Sequence, residues 1–314
     1  MATTKTITGI SHPVFQDAEK ARKYLESICW PNGPFCPHCG EAEAVTRLKG
    51  EKHRPGLIQC NSCRLQFTVT VGTLFERSKV ALNKWLLASY LLCSSKKGIS
   101  THQLHRMLGV TYKTAWFMTH RIREAMRAGS FPGKMGGGGG VVEADETFWG
   151  NTKRKGRDPK KGRGYAHKEK ILTLVERGGE ARSFHVPSVR AETLRPIIRQ
   201  QLHAEARLMT DDANAYKHVG RLFAEHGVVN HTIGEYVRGE IHTNTIEGFF
   251  SILKRGLNGV YQHVSPAHLK RYLSEFDFRY TYRKLTDGER TDKALEGISG
   301  KRLTYRRTIA GATS

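Results

Sequence analysis

Two cysteine pairs, CPHC (Cys36, Cys39) and CNSC (Cys60, Cys63), have chemistry set tightly by their spacing. Thiolates so spaced on a tight turn hold one side of a tetrahedral ion, and a second pair closes the shell. A closed four-sulfur shell leaves no position for substrate, so the spacing predicts one structural zinc ion. Gly40 fits the turn of such a knuckle, and His38 is surplus once four cysteines suffice. Cys29 and Cys93 sit among apolar residues and read as buried hydrophobes. A second chemical set is made of carboxylates: Asp145 in VVEADET, Asp211 in RLMTDDANAY and Glu247 in HTNTIEGFF.

Each of these acids ends or follows an expected strand, or sits on a helix able to face one. Hard divalent cations, Mg2+ or Mn2+, require carboxylate oxygens, and two of them about 4 Å apart catalyse phosphodiester chemistry. Acids gathered in a basic, anion-binding protein are costly unless a metal neutralises them. Position alone does not choose among neighbours. By strand alternation Glu143 shares the face of Asp145 and Glu146 points away, while Asp212 directly follows Asp211.

The elements that must position these groups follow from periodicity and punctuation. Asp17 is placed to cap a helix over AEKARKYLESI, with Tyr24, Leu25 and Ile28 on one face. Phe67, Val69 and Val71 alternate as in a strand, and residues 80–93 carry apolar residues at helical spacing. Helices over 100–108 and 112–127, split by LGVT, have the shape of a DNA-binding helix-turn-helix. Leu104, Leu108, Ala115, Trp116 and Ile122 would face its core. Tyr112, Lys113, Thr114 and His120 would face outward, with Arg121 and Arg123 near phosphate reach. Five glycines at 136–140 within GSFPGKMGGGGG predict a linker.

Beyond that linker come three strands (VVEADETF, ILTLVERG, ARSFHVPS), a helix at 191–204, a strand ending at TDD and a helix at 214–226. A strand in GVVNHT, a helix over 243–255 and a last helix capped by Ser265 and opened by Pro266 complete the pattern. Early hairpin strands followed by helix–strand alternation imply an α/β domain with a mixed sheet. The expected organisation is multidomain α+β. A helix and zinc ribbon occupy 1–78, the helix-turn-helix region 79–130 and the glycine linker 131–140. The α/β domain fills 141–285 and a C-terminal tail 286–314.

Charge indicates the partner. There are 51 Lys and Arg against 29 Asp and Glu, a formal net charge of +22. So positive a field attracts polyanions, and for an intracellular protein that means nucleic acid. Lys153, Arg154, Lys155, Arg157, Lys160, Lys161 and Arg163 stud a glycine-rich loop directly after Asp145, placed to hold a DNA backbone. Lys254 and Arg255 follow Glu247 by about two helical turns and could reach phosphate. His242 and Asn244 precede Glu247 and are candidates to support it. No apolar run is long enough to span a membrane and no signal pattern opens the chain, so a cytoplasmic location is expected.

VEADETFWGNTKRKG, LMTDDANAYKHVG and HTNTIEGFFSILKRGLNGVYQHVSPAHLKRYLSEFDFRY resemble the three catalytic blocks of bacterial insertion-sequence DDE transposases. The group named after ISXO-two, whose members also carry an N-terminal zinc ribbon, is the nearest likeness. It covers roughly residues 15–285, and its third block is the most specific. The resemblance implies an RNase H-like catalytic domain with its first Asp on the first strand, its second after the fourth strand and its Glu on a following helix. Carried over, these are Asp145, Asp211 and Glu247, holding two Mg2+ (or Mn2+) ions. Terminal repeats and target DNA are the implied partners, with a homodimer or higher oligomer in the DNA complex. FRYTYR at 278–283 departs from the family's FRYN, outside the metal site. The alternatives are an RNase H-like nuclease or resolvase, which would cut without joining, and a non-catalytic DNA-binding regulator, which leaves the carboxylates unexplained.

Overall fold

Asp17 caps the first helix, α1 (Ala18–Cys29), as its position predicts: its Oδ1 accepts from the N–H groups of Glu19 at 2.8 Å and Lys20 at 3.1 Å. The protein is seen here as a computed structural model describing residues 6–127, 133–150, 165–230, 234–235 and 237–303. The chain divides into two units, one of Met1–Arg127 with Leu285–Ser314 and one of Ala128–Lys284.

In the first unit a small antiparallel sheet follows α1: β1 (Val45–Arg47), β2 (Ile58–Cys60) and β3 (Gln66–Phe67). Strand pairing stops at Phe67, although Val69 is still buried. The next helix, α2 (Leu82–Ser94), buries residues all round its axis, Trp85, Leu86, Ala88, Leu92 and Cys93 among them. A helix with no solvated stripe must be enclosed by neighbours, and α1, α4 and the C-terminal helix enclose it. α3 (Thr101–Leu108) is capped by Ser100 and ended by Gly109 at φ 59°. This left-handed position suits glycine. Thr111 then caps α4 (Tyr112–Met126). The segment after 285, expected to be a tail, folds: Asp287–Glu296 is helical, opened by a Thr286–Glu289 capping box, and packs on α1, α2 and α4.

In the second unit a five-stranded sheet carries the site. Its strands are β4 (Val141–Trp149), β5 (Glu169–Glu176), β6 (Ala181–Val186), β7 (Arg207–Asp211) and β8 (Glu225–Val229), in the spatial order β6-β5-β4-β7-β8. β4, β5 and β6 pair antiparallel, and β7 and β8 run parallel to β4. The sheet is therefore mixed, as expected. One face packs α5 (Ala191–Gln201) through Val142, Ala144, Leu172, Leu174, Leu194 and Ile198. The other packs α6 (Asn244–Gly256) and α7 (Pro266–Thr281) through Ile171, Val175, Phe249, Leu253, Leu273 and Phe276. A two-stranded ribbon, β9 (Val237–Arg238) and β10 (Ile241–His242), precedes α6.

Two local expectations change. The glycine run is not a free linker, because Met135 before it is buried and the N–H of Gly136 donates to Glu176 Oε1 at 3.1 Å. Gly136 sits at φ 75°, and a Cβ there would lie 2.5 Å from that of Ala206, so glycine is required for close packing. The division between units falls at Arg127, upstream of the glycines. Over 214–226 the expected helix is replaced by two short 3-10 turns, at Asn214–Tyr216 and Gly220–Leu222, followed by β8. No helix among the described residues is long and apolar enough to cross a membrane.

Candidate active site

Strand alternation decides which side chains meet on the sheet. Along β4, Val142 and Ala144 enter the α5-side core, which turns Glu143 and Asp145 toward α6. Along β7, Leu208 enters the same core, which turns Met209 and Asp211 toward α6 as well. The register brings the two aspartates together. Val141 lies opposite Arg207 and Glu143 opposite Met209, and continuing that offset sets Asp145 beside Asp211.

Glu143 positions the third acid. It is wholly buried, and its Oε2 accepts the N–H of Ile246 in the first turn of α6 at 2.8 Å. Anions are favoured at a helix N-terminus, where backbone N–H groups lack partners. Arg177 Nε donates to Glu143 Oε1 at 2.7 Å, and His242 Nδ1 lies 3.3 Å from the same oxygen. Arg177 also donates to the His242 carbonyl at 2.9 Å, tying down the residue that leads into the helix. Glu247 is the next residue after Ile246, and its Oε1 accepts from Thr243 Oγ1 at 3.2 Å.

The acids feel one another. Burial first, then Asp211, with Glu146 and Glu247 adding, push the Asp145 carboxyl up to about 8 against the downward pull of the Glu146 N–H, 2.6 Å away. A buried carboxyl crowded by other acids is disfavoured as an anion, and a bound hard divalent cation would relieve that cost. Glu146 points to the opposite face, where the buried Tyr216 hydroxyl donates to it. Burial, with Asp211 adding, pushes it up to about 7 against the downward pull of that bond. Asp212 lies past the end of β7 and is exposed.

In the first unit the four cysteines converge, with one sulfur from each of Cys36, Cys39, Cys60 and Cys63 lying within 4.8 Å of the others. Cys36 Sγ is 3.6 Å from Cys63 Sγ, and Cys39 Sγ 3.7 Å from Cys60 Sγ. Zinc–sulfur bonds of about 2.3 Å at tetrahedral angles put sulfurs about 3.8 Å apart. The cluster therefore fits one structural zinc.

Two stretches of the chain match known families. Residues 138–281 match the ISXO2-like transposase domain, and residues 16–66 match a transposase zinc-ribbon domain. A protein of Halobacterium salinarum, described as an uncharacterized protein in transposable element ISH50, is 33% identical over 282 residues, 84% of this chain and 91% of that protein. The chain belongs to the ISXO2-like transposase family. No solved structure matches it.

The transposase places its candidate DNA-contacting residues unevenly. Tyr112 and Lys113 are exposed and Thr114 half-exposed at the start of α4. His120, Arg121 and Arg123 are buried, which corrects the expectation that they face outward. His120 packs against Trp116 at 4.2 Å, and Arg121 donates to the Leu303 carbonyl at 3.2 Å. Lys254 and Arg255 are exposed on α6. His242 is spent on Glu143 and Arg177, whereas Asn244 is exposed as the first residue of α6. The basic loop bearing Lys153, Arg154, Lys155, Arg157, Lys160, Lys161 and Arg163 lies outside the described residues. Sequence reasoning missed the Glu143–Arg177 anchor and the Tyr216–Glu146 bond. Alternation marked the face of Glu143, but nothing local to it announces partners 34 and 103 residues away.

Proposed function

We propose that this transposase binds the ends of its insertion sequence and catalyses metal-dependent DNA cleavage and strand transfer, with Asp145, Asp211 and Glu247 as the DDE carboxylates. The observation that carries this reading is the convergence on one face of the sheet. Parallel pairing sets Asp145 beside Asp211, and Glu143 fastens the helix bearing Glu247 to the same strand.

An RNase H-like reading of the unit is supported by its strand order. The third, second, first, fourth and fifth strands lie side by side, with helices on both faces. The first Asp is on the first strand, the second ends the fourth, and the Glu opens a helix covering the sheet. Asp145, Asp211 and Glu247 would hold a pair of Mg2+ or Mn2+ ions. When bound, such ions activate an attacking oxygen and stabilise a leaving one during in-line phosphoryl transfer. The chain's own part is to fix the acids and to hold phosphate through Lys254 and Arg255. The zinc ribbon and a helix-turn-helix of α3 and α4 would recognise element ends, with Tyr112, Lys113 and Thr114 nearest the bases. Pairing two ends implies a dimer or higher oligomer in the DNA complex.

Pre-cut element ends incubated with supercoiled target and Mg2+ should give joined products. Asp145→Asn, Asp211→Asn and Glu247→Gln should each abolish joining while end binding persists. Cutting without joining would indicate a nuclease or resolvase. Joining retained in Asp145→Ala would point to another active site, and loss of binding in all three variants would make the acids structural.

A further inference from the structure

The second unit opens a cleft of about 1010 Å3 whose lining along β4 begins at Glu146, the residue after Asp145. That is at the upper end of the roughly 300–1,000 Å3 usual for small-ligand sites. Its walls come from the end of β4, the turn before β5 and the end of α6. Phe148, Trp149 and Tyr165 supply aromatic surface, and Lys168 and Lys254 supply positive charge. Phe148 and Tyr165 are stacked at 4.3 Å with ring planes 12° apart, and Tyr165 is 58% exposed. The Lys168 ammonium lies 5.1 Å from the Tyr165 ring centre. The two acids on the wall are engaged elsewhere: Glu146 accepts from Tyr216, and Glu169 lies 2.7 Å from His185 Nε2.

The third wall departs from regular geometry. α6 runs into a π turn at Leu257–Tyr261, after which Gln262 takes φ 56° and ψ −50°. Positive φ is strained for a residue with a side chain, so something must hold it. The Tyr261 hydroxyl donates to the buried Glu275, which is itself ion-paired with buried Arg279. That anchor keeps the turn in a form that lines the cleft with Asn258, Gln262 and His263. An amide, a second amide and an imidazole supply both donors and acceptors.

We infer that this cleft receives one unstacked nucleotide of the DNA strand being processed. The base would lie against the Tyr165–Trp149 aromatic surface with its edge read by Asn258 and Gln262, and its phosphate would lie toward Lys254. Paired bases hide their faces in the stack, so only an extrahelical nucleotide can use aromatic faces and amide edges together. Lys254, seven residues after Glu247 in α6, would link the cleft to the carboxylates. The inference rests on the proposed DNA-cleaving function and adds to it a subsite beside the scissile phosphate.

The test uses the full chain and a duplex of the element's own end with its flanking DNA. A single mismatch is moved position by position across the cleavage site. A mismatch removes the pairing cost of extruding a base, so at one position binding should tighten by roughly ten-fold. The gain should persist in Asp145→Asn, vanish in Tyr165→Ala, and return in Tyr165→Trp. Tyr165 is largely exposed, so its removal leaves the core intact. Matched binding with no responsive position, or a gain that survives in Tyr165→Ala, would overturn the nucleotide subsite alone. Failure to bind the element end at all would overturn the DNA-cleaving reading and this subsite with it. A gain in wild type with Asp145→Asn still joining ends would leave the subsite standing and move the chemistry elsewhere.

Discussion

Glu143 and Asp145 are two residues apart on one strand face, yet they do different work. Glu143 is consumed by Arg177, His242 and the first turn of α6, while Asp145 is crowded by other acids. Their types and spacing are alike in sequence, so only tertiary partners separate them. The cysteine cluster is the opposite case, since two CxxC pairs leave little else for the chain to build. Cys36→Ser should lower bound zinc from about one ion per chain to none, measured by elemental analysis, and weaken end binding. Full zinc content in that variant would mean the ion sits elsewhere. His120, Arg121 and Arg123 were misplaced by sequence reasoning for a physical reason. The face that buries them is covered partly by the C-terminal helix and by Leu303, in a segment that composition marks only as a polar tail.

The first helix was legible where a cap and a period agreed, at Asp17, and the helices α3 and α4 from the LGVT break between them. Structure was not legible where close packing overrode composition. Gly136 reads as a linker residue but is wedged against Ala206, and a Cβ on Gly220 would lie 1.9 Å from the His226 ring. The attachment of α6 to β4 is testable at this scale. Arg177→Ala strands the buried Glu143 carboxylate, and breaking a buried ion pair costs about 3–5 kcal/mol. The partial exposure of Arg177 (22%) puts the expectation near the lower figure. Urea unfolding measures it, and a change below about 0.5 kcal/mol, the size of an ordinary surface substitution, would show that the anchor is not needed. α7 is fastened differently: Asp277 accepts from Ser183 N–H at 2.9 Å and Ser183 Oγ at 2.6 Å on edge strand β6. Burial pushes Asp277 from 3.8 up to about 7, against the pull of both Ser183 bonds. A raised folded value means its contribution is fully present below about pH 4 and is lost as pH rises through about 7. The stability of wild type relative to Asp277→Asn should therefore fall between pH 5 and pH 8, and a difference constant across that range would contradict this environment.

At the scale of the molecule, acid and base are segregated by purpose. A net charge of +22 suits a polyanionic partner such as the proposed DNA, yet one face of the mixed sheet gathers carboxylates, which would repel phosphate unless cations neutralised them. In the proposed function three acids, far apart in sequence, grip divalent cations together. Mn2+ binding followed by electron paramagnetic resonance in the presence of pre-cut element ends tests it most directly. Wild type should hold about two Mn2+ per active site, with site binding lost in Asp145→Asn and in Asp211→Asn and sharply weakened in Glu247→Gln, while DNA affinity is kept. Unchanged Mn2+ stoichiometry and affinity in all three variants would contradict it.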